Sequence, residues 1–241
     1  MEIIPIKTRI VSPPQDDIMD LFEGSFPDLK NGDILLIASK IAAIHQGRCK
    51  AICEVEDEMH LIREQADRIL STISYQGKTL PLTIKNRTIT PSAGIDKSNA
   101  NGYYILWPES PERFAREICR RMKARFGLKD LGVIVTDSSP LPMRKGTVGI
   151  SIGFYGIEPY KRYSGKKDIF GRQLEMTRSN VVDALAAIGV LSMGEGDEQT
   201  PLVIIRGAAG VQFTTQERYE EMFIDPREDI YAPIITDKET I

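Results

Sequence analysis

The stretch Leu131–Asp137, LGVIVTD, is a continuous apolar run that stops at an acid. Such a run is typical of a strand whose two faces are both buried, as in sheets covered by helices. Asp137 therefore lies at the carboxyl end of a predicted buried strand, where ligands bind in many sheet proteins. The alternative is an aspartate that only caps the following turn, Ser138–Pro140, and the local sequence gives the two interpretations about equal weight.

The segments around this strand alternate irregularly between helical and strand-like patterns, without internal repeats. Helical spacing predicts helices over residues 17–26, 54–72, 110–127, 178–193 and 214–223. Short apolar or β-branched runs predict strands over residues 1–11, 34–38, 80–85, 87–92, 103–108, 131–137, 143–160 and 200–207. This order predicts an α+β fold of mixed sheets with packed helices, in two lobes that meet near residues 90–150. We expect one domain over residues 1–241, with sublobes at about 1–90 and 91–241.

Two of these elements carry more specific signals. Ser110 is the predicted N-cap of the helix over residues 110–127, with Pro111 at its first position and Gly127 at its end. The glycine-studded stretch 143–160 predicts strands that approach another backbone or a ligand closely.

The composition limits the classes of partner. The 241 residues carry 31 basic and 34 acidic side chains, a net charge of -3, and the pI is about 5.6. This balance disfavours a nucleic-acid binder, and no apolar run approaches the roughly 20 residues that a membrane helix needs. Three cysteines and no signal peptide predict a cytoplasmic protein. Cys49 and Cys53, with only two histidines in the chain, are better explained as structural thiols than as zinc ligands.

A second acid follows a β-like run in the polar loop 92–102, SAGIDKSNANG. Asp96 and Asp137 together, with the hydroxyls and amides beside them, are hard oxygen ligands that suit Mg²⁺ or Mn²⁺. Arg144 and Lys145 follow shortly after Asp137 and are predicted to act on a transferring phosphoryl group. The alternative for these two cations is a solvated basic turn.

A third polar loop, residues 193–201, MGEGDEQTP, follows an apolar helix. Its glycines would let the backbone approach phosphates, and Glu195 and Asp197 would add oxygen ligands, although a glycine-ended helix followed by a loop explains the pattern equally simply. The phosphate-binding motifs G-x-x-x-x-G-K-[ST] and strand-linked G-x-G-x-x-G are absent from the sequence. His45 and His60 lie in apolar or helical contexts that do not indicate a catalytic triad.

Six segments occur along the chain in this order: GDILLIASKIAAIHQGR, AGIDKSNA, VIVTDSS, MRKGTVGISIGFYGI, GKKDIFGRQLEMTRSNVVDALAAIGVLSMGEG and PLVIIRG. Together they resemble the corresponding segments of the coenzyme F-420 γ-glutamyl ligases. The resemblance runs from about residue 3 to residue 207, and residues 132–207 are its most specific part. It implies a homodimeric enzyme of unusual α+β fold without a P-loop. The implied reaction joins L-glutamate to a carboxylate of a deazaflavin coenzyme precursor through an acyl phosphate, with GTP and divalent cations.

The resemblance also implies roles for particular residues. Asp96 and Asp137 correspond to metal-binding aspartates that hold two cations, with Ser138 as the neighbouring hydroxyl. Ser39 and Asn99 correspond to nucleotide contacts. The nucleotide-lining loop corresponds to Met193, Gly194, Glu195, Gly196, Asp197 and Glu198, with Glu195 as an additional metal ligand.

Three segments depart from the family pattern. Ile44 stands where a lysine is common, residues 7–12 read KTRIVS where G-[LI]-P is usual, and Ser138–Leu141 replaces T-x-G-R. These departures leave two alternatives open, namely ATP instead of GTP as the nucleotide, and a folate instead of the deazaflavin as the glutamate acceptor. They also leave open a catalytically inactive nucleotide-binding or scaffold protein as the alternative to a ligase.

Overall fold

The computed structural model describes residues 1–24, 26, 28–75 and 77–236. It has a mixed content of helices and several sheets, which confirms the predicted α+β class. The α-helices are α1 Ile18–Gly24, α2 Ser39–His45, α3 Glu58–Gln65, α4 Pro111–Phe126, α5 Val181–Met193 and α6 Ala232–Ile235. Short 3-10 turns cover Ile52–Glu54, Ser92–Gly94 and Tyr219–Met222. The strands are β1 Glu2–Ile6, β2 Asp33–Ala38, β3 Cys49–Ala51, β4 Arg68–Tyr75, β5 Lys78–Lys85, β6 Thr88–Pro91, β7 Tyr103–Ile105, β8 Leu131–Pro140, β9 Thr147–Tyr155, β10 Tyr160–Arg162, β11 Arg178–Asn180 and β12 Leu202–Arg206.

A five-stranded sheet in the order β1-β12-β2-β8-β9 forms the centre of the fold. The strands β2 and β8 are parallel, and the other three pairings in this sheet are antiparallel. Alternate residues of β8 face opposite sides: Val133 and Val135 pack with α1 and α4, whereas Ile134 packs with α5. Helices therefore cover both faces of the sheet, which is why residues 131–135 of this strand are all apolar.

Glycines in β9 allow a helix to approach on each face. A Cβ atom at Gly149 would lie 2.3 Å from the carbonyl oxygen of Ala186 in α5. A Cβ atom at Gly153 would lie 2.5 Å from the carbonyl carbon of Pro111 in α4. Gly149 and Gly153 thus face opposite sides of the sheet, and the register of the β8–β9 pairing shifts between Val135 and Thr136. The prediction of a close backbone approach in this stretch is confirmed.

The predicted helix over residues 54–72 is wrong in its second half. Asp57 caps α3, accepting a bond from the Met59 amide at 2.8 Å, and the helix ends at Gln65. Residues 68–75 instead form β4, which pairs with β5 in a separate sheet with β6. The β-branched and hydroxyl side chains of this segment suit a strand, and the pairing partner lies close along the chain.

Other element boundaries also differ from the sequence expectation. The first strand ends at Ile6, and α5 begins at Val181 because the side chain of Asn180 caps it, accepting from the Asp183 amide at 3.0 Å. Ser110 does occupy the N-cap position of α4, but it adopts a left-handed conformation and its side chain makes no capping bond. Within 214–223 a 3-10 turn forms instead of the expected helix.

The division into sublobes near residue 90 stays a prediction. Among the residues described, no helix has the length and apolar character needed to cross a membrane.

Candidate functional site

A cavity of about 780 Å³ opens at the carboxyl end of the parallel pair β2 and β8. Its walls come from five separate parts of the chain, namely residues 8–13, 38–44, 96–101, 136–138 and 190–201. The parallel register ends with Ala38 beside Thr136, so the next residues, Ser39 and Asp137, emerge side by side into the cavity. This is the edge of a sheet where ligands are expected to bind.

Asp137 is held from two sides. Its Oδ1 accepts a hydrogen bond from the Ser39 hydroxyl at 3.0 Å, and its Oδ2 accepts one from the Trp107 indole N–H at 2.5 Å. Burial and, to a smaller extent, the nearby charge of Asp96 raise the pKa of Asp137 to about 6, against the effect of these two bonds. A buried carboxyl group whose ionisation is disfavoured in this way is a candidate for cation binding or proton transfer.

Asp96 also lines the cavity and is paired with a cation. Its Oδ2 lies 2.8 Å from Lys40 Nζ, and its two oxygens accept bonds from the Ser98 amide and hydroxyl at 2.7 and 2.8 Å. Burial raises the pKa of Asp96, but the hydrogen bond and charge of Lys40, helped by Ser98, outweigh it and hold that pKa below its ordinary value. The Lys40 ammonium also donates to the Ser98 carbonyl at 2.5 Å, so three oxygen-bearing groups surround it.

The loop after α5 forms the floor of the site. Gly194 adopts a positive φ of 79°, and a Cβ atom there would lie 2.2 Å from the carboxyl carbon of Glu198. Glu198 in turn accepts a bond from the Gly196 amide at 2.8 Å. Asn99 donates its side-chain amide to the Gly196 carbonyl at 2.7 Å, which ties this loop to the loop of Asp96. Asp197 lines the same cavity.

Glu195 faces the end of β8. Its carboxylate accepts bonds from Ser138 Oγ at 3.4 Å and Thr147 Oγ1 at 3.1 Å. Met193 lies below, where its sulfur is 3.7 Å from the Thr136 hydroxyl. The structure therefore brings together nearly all of the site residues expected from the sequence, which are Ser39, Asp96, Asn99, Asp137, Ser138 and residues 193–198.

Arg144 and Lys145 are not among them. Both are exposed in the turn between β8 and β9, outside the lining of the cavity. The cations that do line it are Arg9, which is paired with Asp16 at 2.6 Å, and Lys40. Lys40 is not among the residues expected from the sequence, although it directly follows Ser39 at the end of a buried strand. Trp107 is not among them either, because it has no local signal.

The oxygen groups at this site fit a divalent cation that is also bound by a substrate. The described part of the chain contains no cluster of three or more His, Cys, Asp or Glu side chains arranged for a metal. Mg²⁺ commonly uses one or two carboxylates, together with waters and substrate phosphates, rather than a cage made of protein alone. Asp96 and Asp137 both line the cavity and provide two such carboxylates.

Comparison with known proteins agrees with this architecture. A family model described as F420-0:Gamma-glutamyl ligase matches residues 5–207. The chain belongs to this ligase family. It is 33% identical over 225 residues to the coenzyme F420:L-glutamate ligase of Methanopyrus kandleri, covering 86% of each chain. It is 28% identical to that of Archaeoglobus fulgidus over 95% of this chain and 96% of the relative, and 30% identical to that of Haloarcula marismortui over 95% of both.

Membership in the F420-0:gamma-glutamyl ligase family confirms the family inferred from the sequence motifs and the predicted enzyme class, a ligase that forms an amide bond. The match spans the central sheet from β1 through β12, and it includes every segment that lines the cavity. The family relationship therefore concerns the site as well as the core.

Proposed function

We propose that this protein is a nucleotide- and divalent-metal-dependent γ-glutamyl ligase that adds L-glutamate to a carboxylate of a deazaflavin F420 precursor. The observation that carries the proposal is the meeting of Asp96 and Asp137 in one cavity of a chain related to coenzyme F420:L-glutamate ligases. A cavity that brings together two acids from distant parts of the chain is a candidate site for a cation or a polar substrate.

The nucleotide, GTP or ATP, is the proposed phosphoryl donor. Ser39, Asn99 and the loop of residues 193–198 are the groups proposed to contact it. The loop supports this assignment because its glycines leave backbone groups accessible, and because Asn99 fixes its position through the Gly196 carbonyl. A cavity of about 780 Å³ has the size of a pocket for one nucleotide with part of a second substrate.

Mg²⁺ or Mn²⁺ would be held by Asp96 and Asp137, with Ser138 and Glu195 as further oxygen ligands of a two-cation site. Bound there, the cations supply positive charge to the nucleotide phosphates. The raised pKa of Asp137 supports this role, since a carboxylate that is costly to ionise alone gains most from a bound cation. Lys40 pairs with Asp96 and would share that carboxylate with the cation.

The proposed reaction has two steps. An oxygen of the acceptor carboxylate attacks the γ-phosphorus of the nucleotide, the bond to the bridging oxygen breaks, and an acyl phosphate and a nucleoside diphosphate form. The amine of L-glutamate then attacks the acyl carbon, phosphate leaves, and the amine gives up a proton as the amide forms. Arg9 and Lys40 line the cavity and are the described cations placed to orient the anionic reactants.

We also propose that the protein is a cytoplasmic homodimer. The arm between β10 and β11 ends in apolar side chains that are almost fully exposed, with Ile169 at 91% and Phe170 at 89%. Exposed side chains of this size are typical of a contact surface, and a second copy of the chain is the proposed partner. Light scattering of the wild-type protein and of Phe170→Ser should show a dimer that the substitution weakens.

The activity is tested with labelled L-glutamate, GTP or ATP, Mn²⁺ or Mg²⁺, and either the deazaflavin precursor or a folate. We expect glutamylated deazaflavin, with the release of one phosphate per glutamate added. Asp137→Asn should reduce turnover by at least a thousandfold, while Arg144→Ala, outside the cavity, should change it less than threefold. Nucleotide binding without product from either acceptor would favour the non-catalytic alternative, and glutamylated folate alone would replace the acceptor.

A further inference from the structure

Trp107 joins the two acidic walls of the cavity. It is the single tryptophan of the chain, it is 3% exposed, and it lies two residues after Ile105, the last residue of β7. The backbone of Ile105 exchanges two hydrogen bonds with the backbone of Asp96, at 2.8 and 3.0 Å. The side chain of Trp107 reaches the other wall and donates to Asp137 Oδ2 at 2.5 Å. One short segment thus holds the backbone of one acid and the carboxylate of the other.

The indole ring packs directly against Gly94. A Cβ atom at Gly94 would lie 2.1 Å from the indole nitrogen and 2.5 Å from Cδ1, so a larger residue would displace the ring. Gly94 has a φ of +72° and stands two residues before Asp96. The loop that carries Asp96 is therefore packed directly on the group that holds Asp137.

The chemistry of the indole makes this bond directional. An indole N–H only donates, so Trp107 can bond to a carboxylate oxygen but cannot reverse its role. The Ser39 hydroxyl on the other oxygen can rotate and either donate or accept. Trp107 is therefore the partner that selects one orientation of the carboxylate, and Ser39 adapts to it.

We propose that Trp107 is a positioning residue, whose indole N–H orients the Asp137 carboxylate toward the divalent cation shared with Asp96. This inference rests on the proposed function, because it assumes that these two acids bind the cation. Groups that hydrogen-bond to metal-binding side chains commonly change metal affinity by 10- to 100-fold when they are removed. Trp107 does not contact the reacting atoms, and its effect is on the geometry of Asp137.

The sharpest test removes the N–H group and keeps the ring. Because the chain has a single tryptophan, growth of a tryptophan auxotroph on benzothienylalanine places a sulfur atom where the donor stands at this position alone. Trp107→Phe is the simpler second variant, and Phe114→Leu, in the same core cluster, is the control for lost packing. Binding of Mn²⁺ to nucleotide-free protein is measured from the free-ion signal in electron paramagnetic resonance, and folding from the thermal midpoint.

We expect benzothienylalanine and Trp107→Phe to weaken Mn²⁺ binding at least tenfold, and Phe114→Leu to change it less than twofold. The benzothienylalanine protein should keep a thermal midpoint near that of the wild type. Wild-type Mn²⁺ affinity in the benzothienylalanine protein would overturn the positioning role and leave packing as the only function of the ring. Equal Mn²⁺ binding by the wild type and Asp137→Asn would instead show that Asp137 does not bind the cation. That result would contradict both the proposed function and the proposed role of Trp107.

Discussion

Replacing Asp137 with asparagine should remove activity and yet stabilise the cation-free protein at neutral pH. Burial and the charge of Asp96 disfavour the ionised carboxylate, and they raise the pKa of Asp137 from its ordinary value of 3.8 to about 6. Asparagine has nearly the same shape without the charge. Its oxygen can accept from Trp107 while its amide donates to Ser39, whose hydroxyl can accept, so both hydrogen bonds are retained.

The magnitude follows from the two pKa values. The folded protein holds the Asp137 proton more tightly than the unfolded chain, so the free energy of unfolding falls as the pH rises from about 4 to about 6. A difference of about two pH units corresponds to about 3 kcal/mol, which is lost in full above the folded-state pKa. The asparagine variant lacks this loss. Asp137→Asn should therefore be more stable than the wild type by about 3 kcal/mol at pH 7.5 and by much less at pH 4.5.

The assay is urea denaturation in a metal chelator at these two pH values, followed by circular dichroism and Trp107 emission. Burial also raises the pKa of Asp183, so the wild-type curve contains a second contribution of the same sign. The difference between the wild type and the variant isolates Asp137. Equal pH dependence of the two proteins, or a variant less stable at pH 7.5, would refute the electrostatic argument. Adding Mn²⁺ should restore stability to the wild type alone.

Three further outcomes follow from contacts elsewhere in the fold. Asp33→Asn should destabilise the protein by about 3 kcal/mol in the same denaturation assay, because the fully buried Asp33 forms a two-point ion pair with Arg206 at 2.7 and 2.9 Å. Gly149→Ala should cost about 1–3 kcal/mol, since its Cβ atom would meet the backbone of α5 at 2.3 Å, and the thermal midpoint should fall. Lys40→Met should tighten Mn²⁺ binding to the nucleotide-free protein, because the ammonium that competes for Asp96 is gone. Ligation by this variant should slow at least tenfold. Weaker Mn²⁺ binding would contradict the competition between Lys40 and the cation.

The elements that the sequence predicts well are those whose pattern has one structural explanation. The run Leu131–Val135 is apolar at every position, and such a run suits a strand covered on both faces, which is how β8 packs. The hairpin of β5 and β6 is equally well specified by two short β-branched runs around a tight turn. Residues 54–72 have a helical spacing of apolar side chains as well as β-branched residues, and the pairing of β4 with β5 decided between them. That pairing depends on a partner outside the segment, so the local pattern could not reveal it.

The same distinction explains which site residues were found. Asp96, Asp137 and the loop of residues 193–198 each follow an apolar element, and this position can be recognised within one segment. The bond from Trp107 to Asp137 joins residues 30 positions apart, and the pairing of Lys40 with Asp96 spans 56 positions. Neither has a local signature, because both depend on how β7 and α2 pack beside the central sheet.

Arg144 and Lys145 lie outside the cavity although they are close in sequence to Asp137. β8 continues past Asp137 to Pro140, and three residues of strand move the chain about 10 Å from the carboxylate before the turn begins. The parallel neighbour β2 behaves differently. Its register aligns Ala38 with Thr136, so the next residues, Ser39 and Lys40, emerge level with Asp137. In a parallel pair, the partner of an acid on one strand is therefore best sought after the end of the adjacent strand, as Ser39 shows for Asp137 across 98 positions.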